Sequence, residues 1–354
     1  MYYRENGQFK TSYRADQQIF PILQDRVLMA ALAVAAAALV PWVASDYALD
    51  ALIVPWLILT LAALGVNLLV GYCGQISLGA ASIMGVGAYA AYNLAVRIPS
   101  ASFLLVLLFA GLAAAFVGVL FGTPSLRIKG LYLAVATLAA QFFLDWLFSR
   151  VKWLTNYAPS GSVSAPSVEI FGWHVETSIE RYLFLLAVVL LFALCAKNLV
   201  RGRIGRMWMA TRDMDVAAEI IGIRPAYAKL TAFAVSSFYL GVAGALWAFV
   251  YLGSWEPLAF GINLSFSLLF MVIIGGLGSI LGAFFGAAFI LILPIALNRV
   301  PALFGFSWST ATVAHVEAMI FGALIIFFLI VEPHGLARLW SIGKEKMRLW
   351  PFPH

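Results

Sequence analysis

Two stretches of this sequence set glycine and small polar side chains inside otherwise apolar runs. The first is GYCGQISLGAASIMGVGAYAAY, Gly71 to Tyr92; the second is GGLGSILGAFFGAA, Gly275 to Ala288. Glycine in a helix interior costs about 1 kcal/mol relative to alanine, so such clusters need a reason. One reason is close packing of helices through small residues. Another is a broken helix, whose freed amides and carbonyls face a solute path instead of lipid. In the first stretch Gln75 and Ser77, bracketed by Gly74 and Gly79, favour the break, because an amide near hydrocarbon needs a partner. In the second only Ser279 is polar, and packing is the favoured reading.

Ionisable groups within apolar runs are few: Asp145, His315 and Glu317. A charge inside a membrane is a functional candidate by default. All three fall near the ends of their runs, however, where Asp145 can pair with Arg150 and Glu317 can reach headgroup water. A structural role is the favoured reading for each. No GxxxxGK[ST] occurs, so the chain has no P-loop with which to hydrolyse ATP. HExxH and paired Cys/His spacings are also missing, which leaves no metal set, and Cys73 and Cys195 read as small core residues. The sequence thus offers no catalytic residue and no cofactor of its own.

The elements that must position these groups are membrane spans. Hydrophobic residues make up 63% of the chain and charged residues 11%, against about a quarter charged in soluble domains. The expected fold is an all-α polytopic membrane protein. Candidate spans lie near Val27–Ala44, Ala51–Val70, Ile76–Val96, Ser102–Gly122, Gly130–Ser149, Tyr182–Leu199, Leu230–Leu252, Leu258–Leu281, Gly282–Asn298 and Val316–Val331. With ten spans and both termini cytoplasmic, 17 of the 22 basic residues fall inside. Only Arg97, Arg150, Lys152, Arg181 and Arg299 fall outside, as the positive-inside rule requires. The formal charge of +6 is therefore read as topology signals and contacts with lipid headgroups, not as a nucleic-acid surface. The organisation expected is a cytoplasmic segment 1–26 with no cleaved signal peptide, a transmembrane domain 27–331 and a cytoplasmic tail 332–354. The longest outer loop, 150–181, is read as a periplasmic cap.

The central cytoplasmic loop, 197–229, holds seven of the basic residues. Its middle predicts a short helix from Asp213 to Ile221, capped by Thr211 or Asp213 and stopped by Gly222 with Pro225 beyond. Val216, Ala217, Ile220 and Ile221 share one face of that helix. A basic loop carrying a small amphipathic helix is a surface built for contact with a cytoplasmic partner.

Arg212-Asp213, Ala217-Ala218-Glu219 and Gly222-Ile223 resemble the cytoplasmic loop of ABC-importer permeases of the branched-chain amino acid type. Gly74-Gln75-Ile76-Ser77-Leu78-Gly79 with Gly85-x-Gly87-Ala88-Tyr89 is similar to a signature of the same family. So are Leu126-Arg127-x-Lys129-Gly130-Leu131-Tyr132, Gly275-Gly276-Leu277-Gly278-Ser279 and Glu332-Pro333-His334-Gly335-Leu336. These segments follow the family's order from about residue 65 to 336. The chain departs from the family at Thr155 to Gly161, in an outward loop, which bears on the solute more than on the class.

The resemblance implies an all-helical permease subunit of the bacterial inner membrane that moves a small solute by alternating access. It implies a second permease, two ATP-binding subunits that hold ATP and Mg, and a periplasmic solute-binding protein. Arg212, Asp213, Ala217, Ala218, Glu219 and Gly222 would couple the chain to an ATP-binding subunit, and Gly74, Gln75, Ser77 and Gly79 would border the path. Branched-chain amino acids are the leading solutes; urea, short amides and aromatic carboxylates are the alternatives. An ion-coupled transporter would need a carboxylate at a span centre, and none is seen there. A membrane transferase would need a cluster with histidine at one interface, which the basic loop lacks.

Overall fold

A computed structural model describes residues 11–12, 23–128, 130–157, 162–166, 168–170, 173–175, 177–303, 310–331 and 335–349. The 1–26 segment, Lys129, Ala158 to Gly161 and Glu332-Pro333-His334 thus fall wholly or largely outside the described residues. Where described, the chain is mostly helical, which is what an apolar chain needs in lipid, where backbone groups must be satisfied within their own segment.

Helix α1 (Leu23–Val43) is followed after two residues by α2 (Asp46–Tyr72), 27 residues long with π-helical segments at Leu49–Ile53 and Leu68–Tyr72. Then come α3 (Ala80–Arg97), α4 (Phe103–Gly122), α5 (Leu131–Arg150) and α6 (Ser178–Arg201). Two short helices, α7 (Arg203–Asp213) and α8 (Asp215–Ile220), precede α9 (Pro225–Leu246), which continues as a π-helical segment to Leu252. The last helices are α10 (Ile262–Gly275), α11 (Ile280–Leu303), α12 (Thr310–Val331) and α13 (Gly335–Leu349).

Among the described residues, eight helices are long and apolar enough to cross a membrane, where the sequence predicts ten spans. Helix α3 is not among the eight, because its Gly, Ser, Tyr and Asn residues dilute its apolar character; it is instead largely buried among its neighbours. Helix α12 is the other expected span not counted. The span expected from Leu258 to Leu281 is shorter, ending at Gly275. The stretch 197–229, read as a loop, is largely helical.

Helix α9 lies at the centre, against α2, α3 and α4. Its approach is backbone to backbone. A Cβ added at Gly87 of α3 would come within 2.5 Å of Gly241 Cα, and one at Gly241 would come within 2.7 Å of Ala110 O of α4. Lipid tails are as apolar as Leu, so such close packing, not exclusion from water, is what holds these helices together. Three polar tips within the bundle are satisfied across it. Tyr182 Oη donates to Ala36 O at 2.8 Å, Tyr239 Oη to Phe192 O at 2.9 Å, and Trp56 Nε1 to Phe284 O at 3.0 Å.

The 27 residues of α2, rising 1.5 Å each, put the two ends of the bundle about 40 Å apart. At the strand end, β1 (Val163–Ser164) pairs antiparallel with β4 (Ser254–Trp255), tying the 150–181 segment to the chain after α9. A second small pair joins β2 (Glu169–Ile170) to β3 (Trp173–His174). Buried Trp255 meets the rings of Tyr89, Tyr92 and Phe249. Arg97 lies 3.7 Å over the Trp153 ring, and Asn93 Nδ2 donates to Leu154 O. Ser178 Oγ, at the start of α6, donates to Asp50 Oδ2 of α2 at 2.7 Å. The opposite, loop end carries α7 and α8.

Candidate functional site

Between α2 and α3 the chain leaves the helical path from Gly74 to Gly79. Gly74 takes φ +70°, a conformation that suits glycine. A break inside a bundle exposes the first amides of the following helix, and here side chains from two other helices meet them. Leu78 N–H donates to Thr137 Oγ1 at 2.9 Å, Ala81 N–H to Ser265 Oγ at 2.8 Å and Ser82 N–H to Gln141 Oε1 at 3.0 Å. Gln141 is fully satisfied. Its Oε1 also accepts from Ser265 Oγ, and its Nε2 donates to Phe260 O and to the Asp145 carboxylate at 3.0 Å. Asp145, expected to pair with Arg150, is held by Gln141 one turn back on its own helix, because the i, i+4 spacing brings their side chains together.

The four path candidates divide. Ser77 and Gly79 line a small, mostly apolar cleft in which Ser82, Thr137, Ser236 and Ser237 meet Leu69, Phe121, Phe233 and other apolar side chains. Gln75 does not line it; its Nε2 turns back to Cys73 O, and Gly74 lies against the central cytoplasmic segment. The cleft has a volume of about 20 Å3, room for about one water and not for a solute. The Ser236 hydroxyl, 1% exposed, has no partner among the described residues. Ser82, Thr137, Gln141, Ser236 and Ser265 were not singled out in the sequence. Their signal is a polar side chain within an apolar span, the criterion that found Gln75.

The second glycine stretch is both a break and a packing site. Gly276 and Gly278 have φ +121° and +73° in the turn between α10 and α11, and a Cβ on Gly282 would meet Gly275 O at 2.7 Å. This turn sits directly on the end of α2. Asn67, 1% exposed, donates from Nδ2 to Ser279 O at 2.7 Å and accepts at Oδ1 from Gly278 N–H at 2.9 Å. Gly335, at the start of α13, packs on the same turn, where a Cβ would meet Gly276 N at 2.6 Å.

Arg212 completes this junction. Its Nη1 donates to Gly71 O at 2.8 Å, and its stem lies against Gly74. Its Nε donates to Asp213 Oδ1 at 2.9 Å. Arg212, read as a member of a surface for a partner, therefore faces in part into the chain's own bundle, while Asp213 beside it stays exposed. Helix α7 is anchored by Trp208, fully buried, whose Nε1 donates to Thr231 Oγ1 of α9 at 3.0 Å. Lys229, counted among the topology charges, is buried with its Nζ 3.4 Å from Ser125 O.

The predicted short helix spans Asp215–Ile220, shorter than expected and without a side-chain cap. Extended Met214 separates it from α7, Thr211 Oγ1 is spent on Met207 O, and the Asp213 carboxylate on Arg212. Its end is as predicted. Gly222 takes φ +89°, Gly222 N–H donates to Glu219 O and Ile223 N–H to Ala218 O, a Schellman arrangement. Met214, Val216, Ile220 and Ile221 form an exposed apolar patch, with Ile220 82% exposed; Ala217, Glu219 and Gly222 are exposed beside it. Ala218, in contrast, is 2% exposed and packs inward, so it is no part of that surface. Cys73 is buried, whereas Cys195 is on the surface of α6. His315 is exposed, and the side chain of Glu317 lies outside the described residues.

The arrangement sets a small, mostly apolar cleft bordered by a few hydroxyls beside a helix break, and links that break to a segment with an exposed apolar face.

Comparison with known proteins gives the same class. The family described as "Branched-chain amino acid transport system / permease component" matches residues 48–329. Two similar proteins are each named "High-affinity branched-chain amino acid transport system permease protein LivM". The one from Escherichia coli (strain K12) is 29% identical over 303 residues, covering 79% of this chain and 68% of the relative. The one from Salmonella typhimurium (strain LT2) is 29% identical over 338 residues, covering 89% of this chain and 75% of the relative. No solved structure matches. With its glycine breaks, its small cleft and nearly the whole span from α2 into α12 inside the match, this chain belongs to the family of branched-chain amino acid transport system permease components.

Proposed function

We propose that the chain is one membrane-spanning subunit of an ATP-driven importer for branched-chain amino acids in the bacterial inner membrane. It would work with a second permease, two ATP-binding subunits and a periplasmic binding protein. The observation that carries this reading is the cleft at the start of α3. It joins the positive end of a helix dipole to the unpartnered Ser236 hydroxyl and the Ser77 side chain, groups suited to a carboxylate passing through the bundle. In the conformation described the cleft is closed, the state in which a route must wait until its partners act. Ser77 and Gly79 would form the wall of this route, and Gly74 and Gln75 the break that leads into it. The patch of Met214, Val216, Ile220 and Ile221 is the seat for an ATP-binding subunit. Adding α3 and α12 to the eight apolar helices makes ten spans, with both termini in the cytoplasm.

The test is uptake of labelled leucine by the complex reconstituted with its ATP-binding and binding-protein subunits. Leucine uptake that requires ATP is expected, with urea, acetamide and benzoate failing to compete. Competition by one of these at equal concentration would move the solute to that class. In intact cells, an impermeant thiol reagent should reach Ser160→Cys but not Lys10→Cys, Met214→Cys or Glu345→Cys. Labelling of Met214→Cys from outside would overturn the topology.

A further inference from the structure

We infer that Arg212 is the positioning residue that ties the movement of the cytoplasmic segment to the helix break, by holding a carbonyl left free in the last turn of α2. This inference rests on the permease reading above. Near the end of α2 the ladder is irregular: Gly74 N–H donates to Val70 O and Gln75 N–H reaches back to Leu69 O. Gly71 O is thereby passed over by its usual donor. A carbonyl left over at a helix C-terminus carries the negative end of the dipole, and a cation is the favoured partner there. Arg212 Nη1 fills that place at 2.8 Å. The other nitrogens of the guanidinium are fixed by Asp213, with Nη2 at 2.8 Å and Nε at 2.9 Å from Oδ1. The fork is thus aimed by its own neighbour.

The geometry leaves no slack on the far side. Gly71 has no room for a Cβ, which would strike Asn67 Oδ1 and Gly278 N; Asn67 in turn grips the α10–α11 turn. Gly74, the first residue of the break, would bring a Cβ within 2.7 Å of Arg212 Cγ. Arg212 is the residue just before the Asp213–Met214 step into α8, whose outer face bears the apolar patch. A push on that patch therefore reaches Gly71, Gly74 and Gly278 through one side chain. The ion pair itself is half exposed and contributes little to stability. Its role is geometric: it selects where the carbonyl and the break go when α8 moves.

The test uses the whole reconstituted transporter in a background with Cys73→Ala and Cys195→Ala, with Ser77→Cys added only for the labelling measurement because Ser77 lines the cleft. Two readings are taken: leucine imported per ATP hydrolysed, and the ATP-dependent change in labelling of position 77 by N-ethylmaleimide. With Arg212→Gln, leucine per ATP is expected to fall at least about tenfold, on the scale of losing a hydrogen bond from a charged donor. The ATP-dependent change at position 77 is expected to vanish. Arg212→Lys, which can reach Gly71 O but cannot grip Asp213 as well, should restore part of both readings. An assembled Arg212→Gln complex with unchanged coupling and unchanged labelling overturns the inference. Should Arg212→Gln fail to assemble, Asp213→Asn decides, and wild-type behaviour of that variant overturns it too. If the wild-type complex imports no leucine, the solute assignment fails, and the labelling at position 77 still decides the role of Arg212.

Discussion

At the strand end, closure rests on side chains: the Trp255 ring among Tyr89, Tyr92 and Phe249, the Arg97 guanidinium over Trp153, and one short strand pair. At the loop end it rests on main chain. Gly71, Gly276, Gly278 and Gly335 bring backbones together, Gly74 makes room for the Arg212 stem, and Asn67 and Arg212 bond to carbonyls and amides and not to each other. The difference bears on how each end responds to force. Rings can slide and repack within a cluster, so the strand end absorbs a change of shape. Backbones in direct contact cannot be compressed, so the loop end passes a displacement on.

Truncation experiments can break this contrast. The largest effect expected is from Trp255→Ala, which removes a buried ring and should cost about 3–5 kcal/mol in thermal unfolding in detergent. The loss should leave labelling at the loop end unchanged. Asn67→Ala comes next, at about 1–3 kcal/mol, because it strands a buried amide and a buried carbonyl of the α10–α11 turn. Unlike Trp255→Ala, it should alter thiol labelling near Gly278 at temperatures well below unfolding. A larger cost for Asn67→Ala than for Trp255→Ala would invert the assignment of the two ends. The smallest effect is that of Arg97→Gln, about 0.5–1 kcal/mol for an exposed cation over a ring, read from the same melts.

The class of the protein and its helices were legible in the sequence because apolar run length and the price of unsatisfied backbone in lipid leave few solutions. The break at Gly74–Gly79 and the stop at Gly222 were legible for a related reason: only glycine is at ease with the backbone those places require. The rest depended on which segments meet. Nothing in the string GRMWMATRD says that Trp208 will be buried under α9, so that a basic stretch becomes α7. Ala218 turns inward, away from the coupling surface where the resemblance put it, while the face read from spacing, Val216, Ala217, Ile220 and Ile221, is exposed. Asn67, Gln141 and Ser265 matter through partners more than a hundred positions away, and spacing along the chain carries no trace of such pairs.

The length of α2 has a consequence for the surrounding bilayer. A rod of about 40 Å exceeds the about 30 Å of hydrocarbon in a typical membrane, so it must lean or carry its ends beyond the acyl chains. Its two ends are fastened to different parts of the protein, Asp50 to Ser178 and Gly71 to Arg212, and each lies in a π-helical segment whose looser winding gives it a joint. Lipid thickness is therefore felt as a lever angle: a thinner bilayer lays the rod over, and the same rotation carries its two fastenings in opposite directions.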